Sequence, residues 1–293
     1  MTTLTTTADP TPAAVPRQPA WTDAAPAGRI PLRHTLFALL ARDVRVMRRQ
    51  LFDVVVRALM QPVAFIFVFT YVLPKIGMGG GGSRAGSLST VLVPGLVAIT
   101  LAVQGITAVM MPLLLDLAIT REIEDRALAP APIWLIGVQK ILSAAFQALF
   151  AGLVVFPVTM YLHAAGQAPH VHVYSWPLFI AVLALSCLLA GCVGLLVGTA
   201  FPAHKAQQLF AIVVTPLTML GCVYYPWSRL GAIPWLKVAT LANPVVYTSE
   251  GLRAALTPQL GHMPVVAILA VLAGGVVVVG GVALRLFTRR VMG

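Results

Sequence analysis

The chain has 293 residues, 59% of them hydrophobic and only 10% charged. A soluble globular domain carries about 25% charged residues, so this composition excludes a water-soluble surface and points to an integral membrane protein. The net charge of +11 invites a nucleic-acid reading, but the charges collect at particular turns of the chain, and no basic groove interleaved with aromatics is visible.

Residues 1–30 are rich in Thr, Pro and Ala without apolar periodicity. They read as a disordered cytoplasmic tail with no secretory signal pattern. From Pro31 the pattern changes. Leu36, Leu40, Val44, Met47 and Leu51 recur on one helical face, while Arg42, Arg45 and Arg49 fall opposite with Arg48 at the boundary. Such a basic amphipathic helix over 31–52 lies in a membrane interface, its arginines toward anionic headgroups. A surface helix of a soluble domain would show the same stripe, but a spanning segment follows directly.

A span needs about 20 apolar residues. Six segments meet or approach that: Val54 to Leu73, Val91 to Leu117, Trp134 to Leu162, Trp176 to Ala200, Gln207 to about Tyr225, and Pro264 to Leu286. The fifth is short and carries Pro216. The expected fold class is therefore an all-α membrane protein of six transmembrane helices. Fifteen of the twenty Lys and Arg fall on the side that holds both termini. By the positive-inside rule that side is cytoplasmic, and the excess charge meets anionic lipid there.

Between spans two and three runs ITREIEDRALAPAPIW, Ile119 to Trp134. Of the chain's nine acidic residues, four (Asp116, Glu122, Glu124, Asp125) lie in or just before it. Ile119, Ile123 and Ala127 make an apolar stripe at i, i+4, i+8. Arg121 with Asp125, and Glu122 with Arg126, are opposite charges at i, i+4, each pair worth about 0.2–0.5 kcal/mol on an exposed helix. Pro130 and Pro132 then stop the helix. A short amphipathic helix offered to the cytoplasm is the expectation. On the other side, Pro226 to Met263 is too rich in Pro, Gly and polar residues to span and too apolar for a plain loop. It reads as a pair of short helices dipping back toward the membrane, with Tyr224, Tyr225, Trp227, Trp235 and Tyr247 at interfacial depth.

The chain shows no nucleotide-binding P-loop pattern. His163, His170 and His172 have no acidic or thiol neighbour in sequence, so a solvated loop is preferred to a metal site. Cys187, Cys192 and Cys222 read as small packing residues. Asp116 and Lys140 sit near helix ends, where they can snorkel. Ala190, Gly194 and Gly198 form a small-residue face suited to close helix packing, within the chain or across a dimer seam. Phe65 with Phe69, and Phe67 with Tyr71, put aromatics on two sides of span one, as lipid-facing packing or as a stacking surface for a sugar or drug. With neither catalytic groups nor coupling-ion groups at membrane depth, any transport would draw its energy from another polypeptide.

Two stretches carry a family resemblance. Tyr225–Pro226, Pro234–Trp235–Leu236, Asn243–Pro244 and Glu250–Gly251–Leu252–Arg253 occur in the order and spacing seen after the fifth span of ABC-2 type transporter permeases. The charged 119–132 stretch, with Ala131–Pro132 and then Gly137-x-x-Lys140, resembles the loop that carries the family's coupling helix. The chain has Arg126–Ala127 where many members have Gly–Thr. Drug-resistance permeases of the daunorubicin type and nodulation lipo-oligosaccharide exporters are the nearest kinds suggested. The resemblance covers roughly residues 31–290. It implies a transmembrane domain over 31–293 and a permease subunit, not an enzyme, in the cell membrane with both termini cytoplasmic. Two separate ATPase subunits would bind the ATP and magnesium, so no cofactor is expected in this chain. A second permease chain, identical or homologous, would complete the path. Arg121, Glu122, Glu124, Asp125 and Arg126 would engage the ATPase. Gln104, Thr107, Met110, Met111, Thr215 and Met219 would line the path for an amphipathic drug or lipid-like substrate. Tyr225, Pro226, Asn243, Pro244, Glu250 and Arg253 would form the external re-entrant region over 226–263. Export of a glycolipid or polysaccharide is the alternative within transport. A non-transporting intramembrane enzyme or assembly factor is the alternative outside it.

Overall fold

The computed structural model describes residues 32–49, 51–72, 75–76, 88–116, 132–161, 171–201 and 206–292. The described residues are helical, with no strand among them. The 1–30 tail and the charged residues 119–131 lie outside them.

Helix α1 (Leu32–Arg49) leads into α2 (Leu51–Ile66), which continues as a π-helical segment, Phe67–Val72. The long helices α3 (Leu88–Leu115), α4 (Ile133–Tyr161) and α5 (Trp176–Ala200) follow. Then come the shorter α6 (Ala206–Met219), α7 (Pro234–Ala239) and α8 (Pro244–Leu256), and last α9 (Val265–Met292). Three short 3₁₀ turns, Trp227–Ala232, Thr240–Ala242 and Pro258–Leu260, punctuate the stretch around α7 and α8. Among the described residues, five helices are long and apolar enough to cross a membrane: Phe52–Phe69, Thr90–Leu115, Ile133–Tyr161, Trp176–Ala200 and Val265–Val291. The remaining expected span, Gln207 to Tyr225, is instead the 14-residue α6 followed by an irregular turn.

Helix α5 is the centre of the bundle, packed on α3, α4 and α9. Lipid tails are as apolar as leucine side chains, so association in a bilayer depends on close van der Waals fit rather than on expelling water. The small-residue face supplies that fit within the chain. A Cβ on Gly194 would come 2.6 Å from the Ile106 carbonyl oxygen of α3, and one on Gly105 would come 2.5 Å from Ala190 Cβ. On another side of α5, a Cβ on Gly191 would meet the Ile141 carbonyl oxygen of α4 at 2.9 Å. The thiols follow the same use: Cys187, Cys192 and Cys222 are buried and unpaired with one another.

The bundle has two unlike ends. At one, α1 packs against α4, and the basic end of α9 caps α5. There Arg290 Nη1 donates to the Thr199 carbonyl and, at 2.8 Å, to the Phe201 carbonyl. A cation on the last carbonyls of a helix satisfies groups that have no intrahelical donor. At the other end, the segment before α5 lies along the end of α8. The Tyr174 N–H donates to the Ala255 carbonyl at 3.0 Å.

Candidate functional site

The expected coupling residues Arg121, Glu122, Glu124, Asp125 and Arg126 lie outside the described residues. Their flanks do not. Asp116, just past α3, and Lys140, in the second turn of α4, form an ion pair of 2.9 Å with side chains 18% and 11% exposed. They therefore turn to each other rather than snorkel to water. Helix α3 thus ends, and α4 begins, at the α1 end, the two tied by charge.

Helix α1 has an exposed and a half-buried side. Arg42, Arg45, Arg48 and Arg49 are exposed, while Leu36, Leu40, Val44 and Met47 are half-buried. Asp43 lies on the flank of the apolar face. It accepts a hydrogen bond from Gln139 Nε2 of α4, which fixes α1 against the bundle. Periodicity offers no signal for this contact, because the partners are 96 residues apart.

The six residues expected along a path are divided by the structure. Gln104 and Met110 are buried inside the chain. Met110 packs with Leu114 and Val197 against Phe210 and Val213 of α6. Thr107 is half-buried and donates its hydroxyl back to the Val103 carbonyl at 2.8 Å. Met111, Thr215 and Met219 are exposed. The span-one aromatics divide as well. Phe65 and Phe69 pack on Tyr224, with ring centroids 5.4 and 5.7 Å apart. Phe67 and Tyr71 stack at 5.4 Å on the exposed side. His172 is exposed beside Tyr174, whereas His163 and His170 lie outside the described residues.

The motif residues around α8, expected in a re-entrant region, come together around one buried polar hub. The chain after α6 makes a turn with Cys222 at φ 51°, a left-handed conformation costing a non-glycine residue roughly 1–2 kcal/mol. The turn leaves carbonyls without helical donors, and helix α8 supplies them. Arg253 Nη2 donates to the Cys222 carbonyl at 2.6 Å and to the Val223 carbonyl at 3.1 Å. Ser249 Oγ donates to the Gly221 carbonyl at 2.9 Å. Asn243 Nδ2 donates to the Leu217 carbonyl at 2.9 Å, and its Oδ1 accepts the Val245 N–H at 2.9 Å as the N-cap of α8.

Glu250 completes the hub. Its Oε1 accepts from Arg253 Nη1 at 2.8 Å and from the Trp227 N–H at 2.9 Å. Its Oε2 accepts from the Met263 N–H at 3.2 Å. Both side chains of the pair are fully buried. Burial pulls the Arg253 guanidinium below its ordinary basicity, and the Glu250 carboxylate opposes that pull. Gly251 keeps α8 close to α5, since a Cβ there would meet Val182 Cγ1 at 2.8 Å. Pro226 is buried at the turn's exit, with Tyr225 half-buried beside it. Trp227 donates its indole N–H to the Lys237 carbonyl at 3.2 Å, while Lys237 Nζ stands 4.2 Å from the indole centroid. Pro244 opens α8, where its missing N–H is no loss.

This arrangement holds backbone in place. Asn243→Ala removes both the cap and the tie to α6. The expected result is a loss of about 1 kcal/mol from the cap alone, with faster amide exchange over the first turn of α8 than in the unchanged chain. Equal exchange in the two proteins would show that the cap is not needed.

Comparison with known proteins points one way. The family model described as ABC-2 type transporter matches residues 34–257, from α1 through the hub. The chain is 30% identical over 134 residues to proteins called inner membrane transport permease YadH, from Escherichia coli strain K12, E. coli O157:H7 and Shigella flexneri. The matched segment is 45% of this chain and 49% of each relative, so the chain spans about half the length of the curated relatives it matches.

Proposed function

Because the chain belongs to the ABC-2 type transporter family, we propose that it is the transmembrane permease subunit of an ATP-driven exporter for an amphipathic drug or lipid-like substrate. Two ATPase subunits dock at the α1 end, which faces the cytoplasm, and a second permease chain completes the path. The observation that carries this reading is the 2.9 Å Asp116–Lys140 pair at the base of the charged 119–132 stretch. A helix pushed from outside the bilayer delivers its displacement to whatever its ends are fixed to. Here those ends are α3 and α4, both packed on the central α5.

The exposed Met111, Thr215 and Met219 support a path that is completed by assembly, since residues facing a partner chain are exposed in the single chain. Methionine suits apolar ligands of varied shape. Of the two span-one aromatic pairs, Phe67 with Tyr71 is left outward for the glycan alternative, because Phe65 and Phe69 are engaged by Tyr224.

The test is co-expression with a candidate ABC ATPase subunit, followed by purification in nanodiscs and assay of ATP hydrolysis. The expected result is a stable complex whose hydrolysis rises with an amphipathic substrate. Glu122→Lys with Asp125→Lys is expected to abolish that rise and to weaken co-purification at least tenfold, while the permease still folds. Intact assembly and stimulation in the reversed variant would remove the coupling role from this stretch.

A further inference from the structure

Between α1, α2, α3 and α4, at the α1 end, lies a cavity of about 530 Å³. Its wall has two characters. Met47, Val54, Val109 and Phe146 make an apolar side, while Asp43, Asp116, Gln139 and Lys140 make a polar one. Gln139 is 4% exposed. Its Nε2 donates to the Asp43 carboxylate, and since a carboxylate accepts and only the amide nitrogen donates, the orientation of the amide follows. Gln139 Oε1 is then left buried with no hydrogen-bond partner. The nearby ammonium does not reach it: Lys140 Nζ is directed to Asp116, at 2.9 Å, and makes no hydrogen bond to the Gln139 oxygen.

A buried acceptor without a donor is costly, and this one lies beside a carboxylate in the wall of an amphipathic cavity. We propose that the cavity binds the head of an amphiphile carrying a primary ammonium group. Three N–H donors on one cation can serve Gln139 Oε1 and Asp43 together. The first methylenes then lie along Met47, Val54 and Phe146. Arg42, also on the cavity wall and exposed, meets a phosphate when the amphiphile has one. Both phosphatidylethanolamine and a free alkylamine carry this head. Their trimethylated counterparts, phosphatidylcholine and an alkyltrimethylammonium, have the same charge without an N–H. The inference concerns equilibrium binding to the chain alone, so it stands or fails separately from transport.

The experiment takes the full chain in detergent, without an ATPase, and counts retained adducts by native mass spectrometry. It compares phosphatidylethanolamine with phosphatidylcholine, and dodecylamine with dodecyltrimethylammonium. The expected result is at least tenfold greater retention of the unmethylated member. A preference in the phospholipid pair identifies a membrane lipid as the source. A preference only in the alkylamine pair identifies a free amine. Gln139→Leu is expected to bring the ratio close to one in a chain that still melts cooperatively. Should that variant fail to fold, Asp43→Asn is expected to lower the ratio in its place. Equal retention within both pairs overturns the proposal, as does an undiminished preference in whichever variant folds.

Discussion

Arg253→Met is expected to lower the stability of the purified chain by about 3–5 kcal/mol, the usual consequence of removing one partner from a buried ion pair. The residue is fully buried, and its loss has two effects at once. Glu250 retains only the Trp227 and Met263 N–H groups to hold its charge. The Cys222 and Val223 carbonyls lose the donor that the turn depends on. Scanning fluorimetry in detergent measures the first effect, and hydrogen exchange over 217–227 reads the second. Arg253→Lys is expected to fall between, because one ammonium keeps the charge but cannot reproduce the planar fork. Pairing Arg253→Met with Glu250→Gln is expected to recover part of the loss, since the neutral amide does not leave a buried charge. A melting temperature within a degree or two of the unchanged chain for Arg253→Met would show that the hub is not what closes this end of the bundle.

Gly95→Val is the second large effect. A Cβ on Gly95 would stand 2.1 Å from the Val223 carbonyl oxygen and 2.7 Å from its carbonyl carbon. Neither is the far end of a flexible side chain, so α3 or the turn itself must move. Overpacking costs about 1–3 kcal/mol in ordinary cores, and a backbone clash of this depth puts the expected loss at or above the upper figure. Because the displaced atom is the same carbonyl that Arg253 holds, the two substitutions are not independent. A double-mutant cycle is expected to give a coupling of about 0.5–3 kcal/mol. Strict additivity would mean that the close approach and the hydrogen bond act on separate parts of the structure.

What was legible in the sequence followed from continuous patterns. Helices α3, α4, α5 and α9 are long apolar runs, and the expected limits of α5, Trp176 to Ala200, are those observed. The half-buried Leu36, Leu40, Val44 and Met47 of α1 were legible because a 3.6-residue period is a local property. The early end of α6 was not. Apolar character continues through Val223 and Tyr225, so hydropathy extends the helix; what stops it is set by Asn243, Ser249 and Arg253, whose partners lie 26 to 31 residues back along the chain. The family motif located Glu250 and Arg253, yet an i, i+3 pair reads the same on a wet surface as at full burial. The Asp116–Lys140 and Asp43–Gln139 contacts span 24 and 96 residues, beyond any local period. For the residues expected along a path, exposure in one chain separates Met111, Thr215 and Met219 from Gln104 and Met110, a division that a helical wheel alone does not make.

The hub also sets an order of events during synthesis. The turn at Gly221–Val223 emerges from the ribosome about thirty residues ahead of Arg253, at a synthesis rate of about 5–20 residues per second. Through that interval its carbonyls have only water as donor, and bare carbonyls are not tolerated in hydrocarbon. Arg253 in turn cannot enter an apolar setting without Glu250 and the turn beside it. Each half is thus confined to the wet interface until the other arrives. The hydrogen bonds that join the turn to α8 therefore close only after Arg253 has been made, against the surface that α3 and α5 provide.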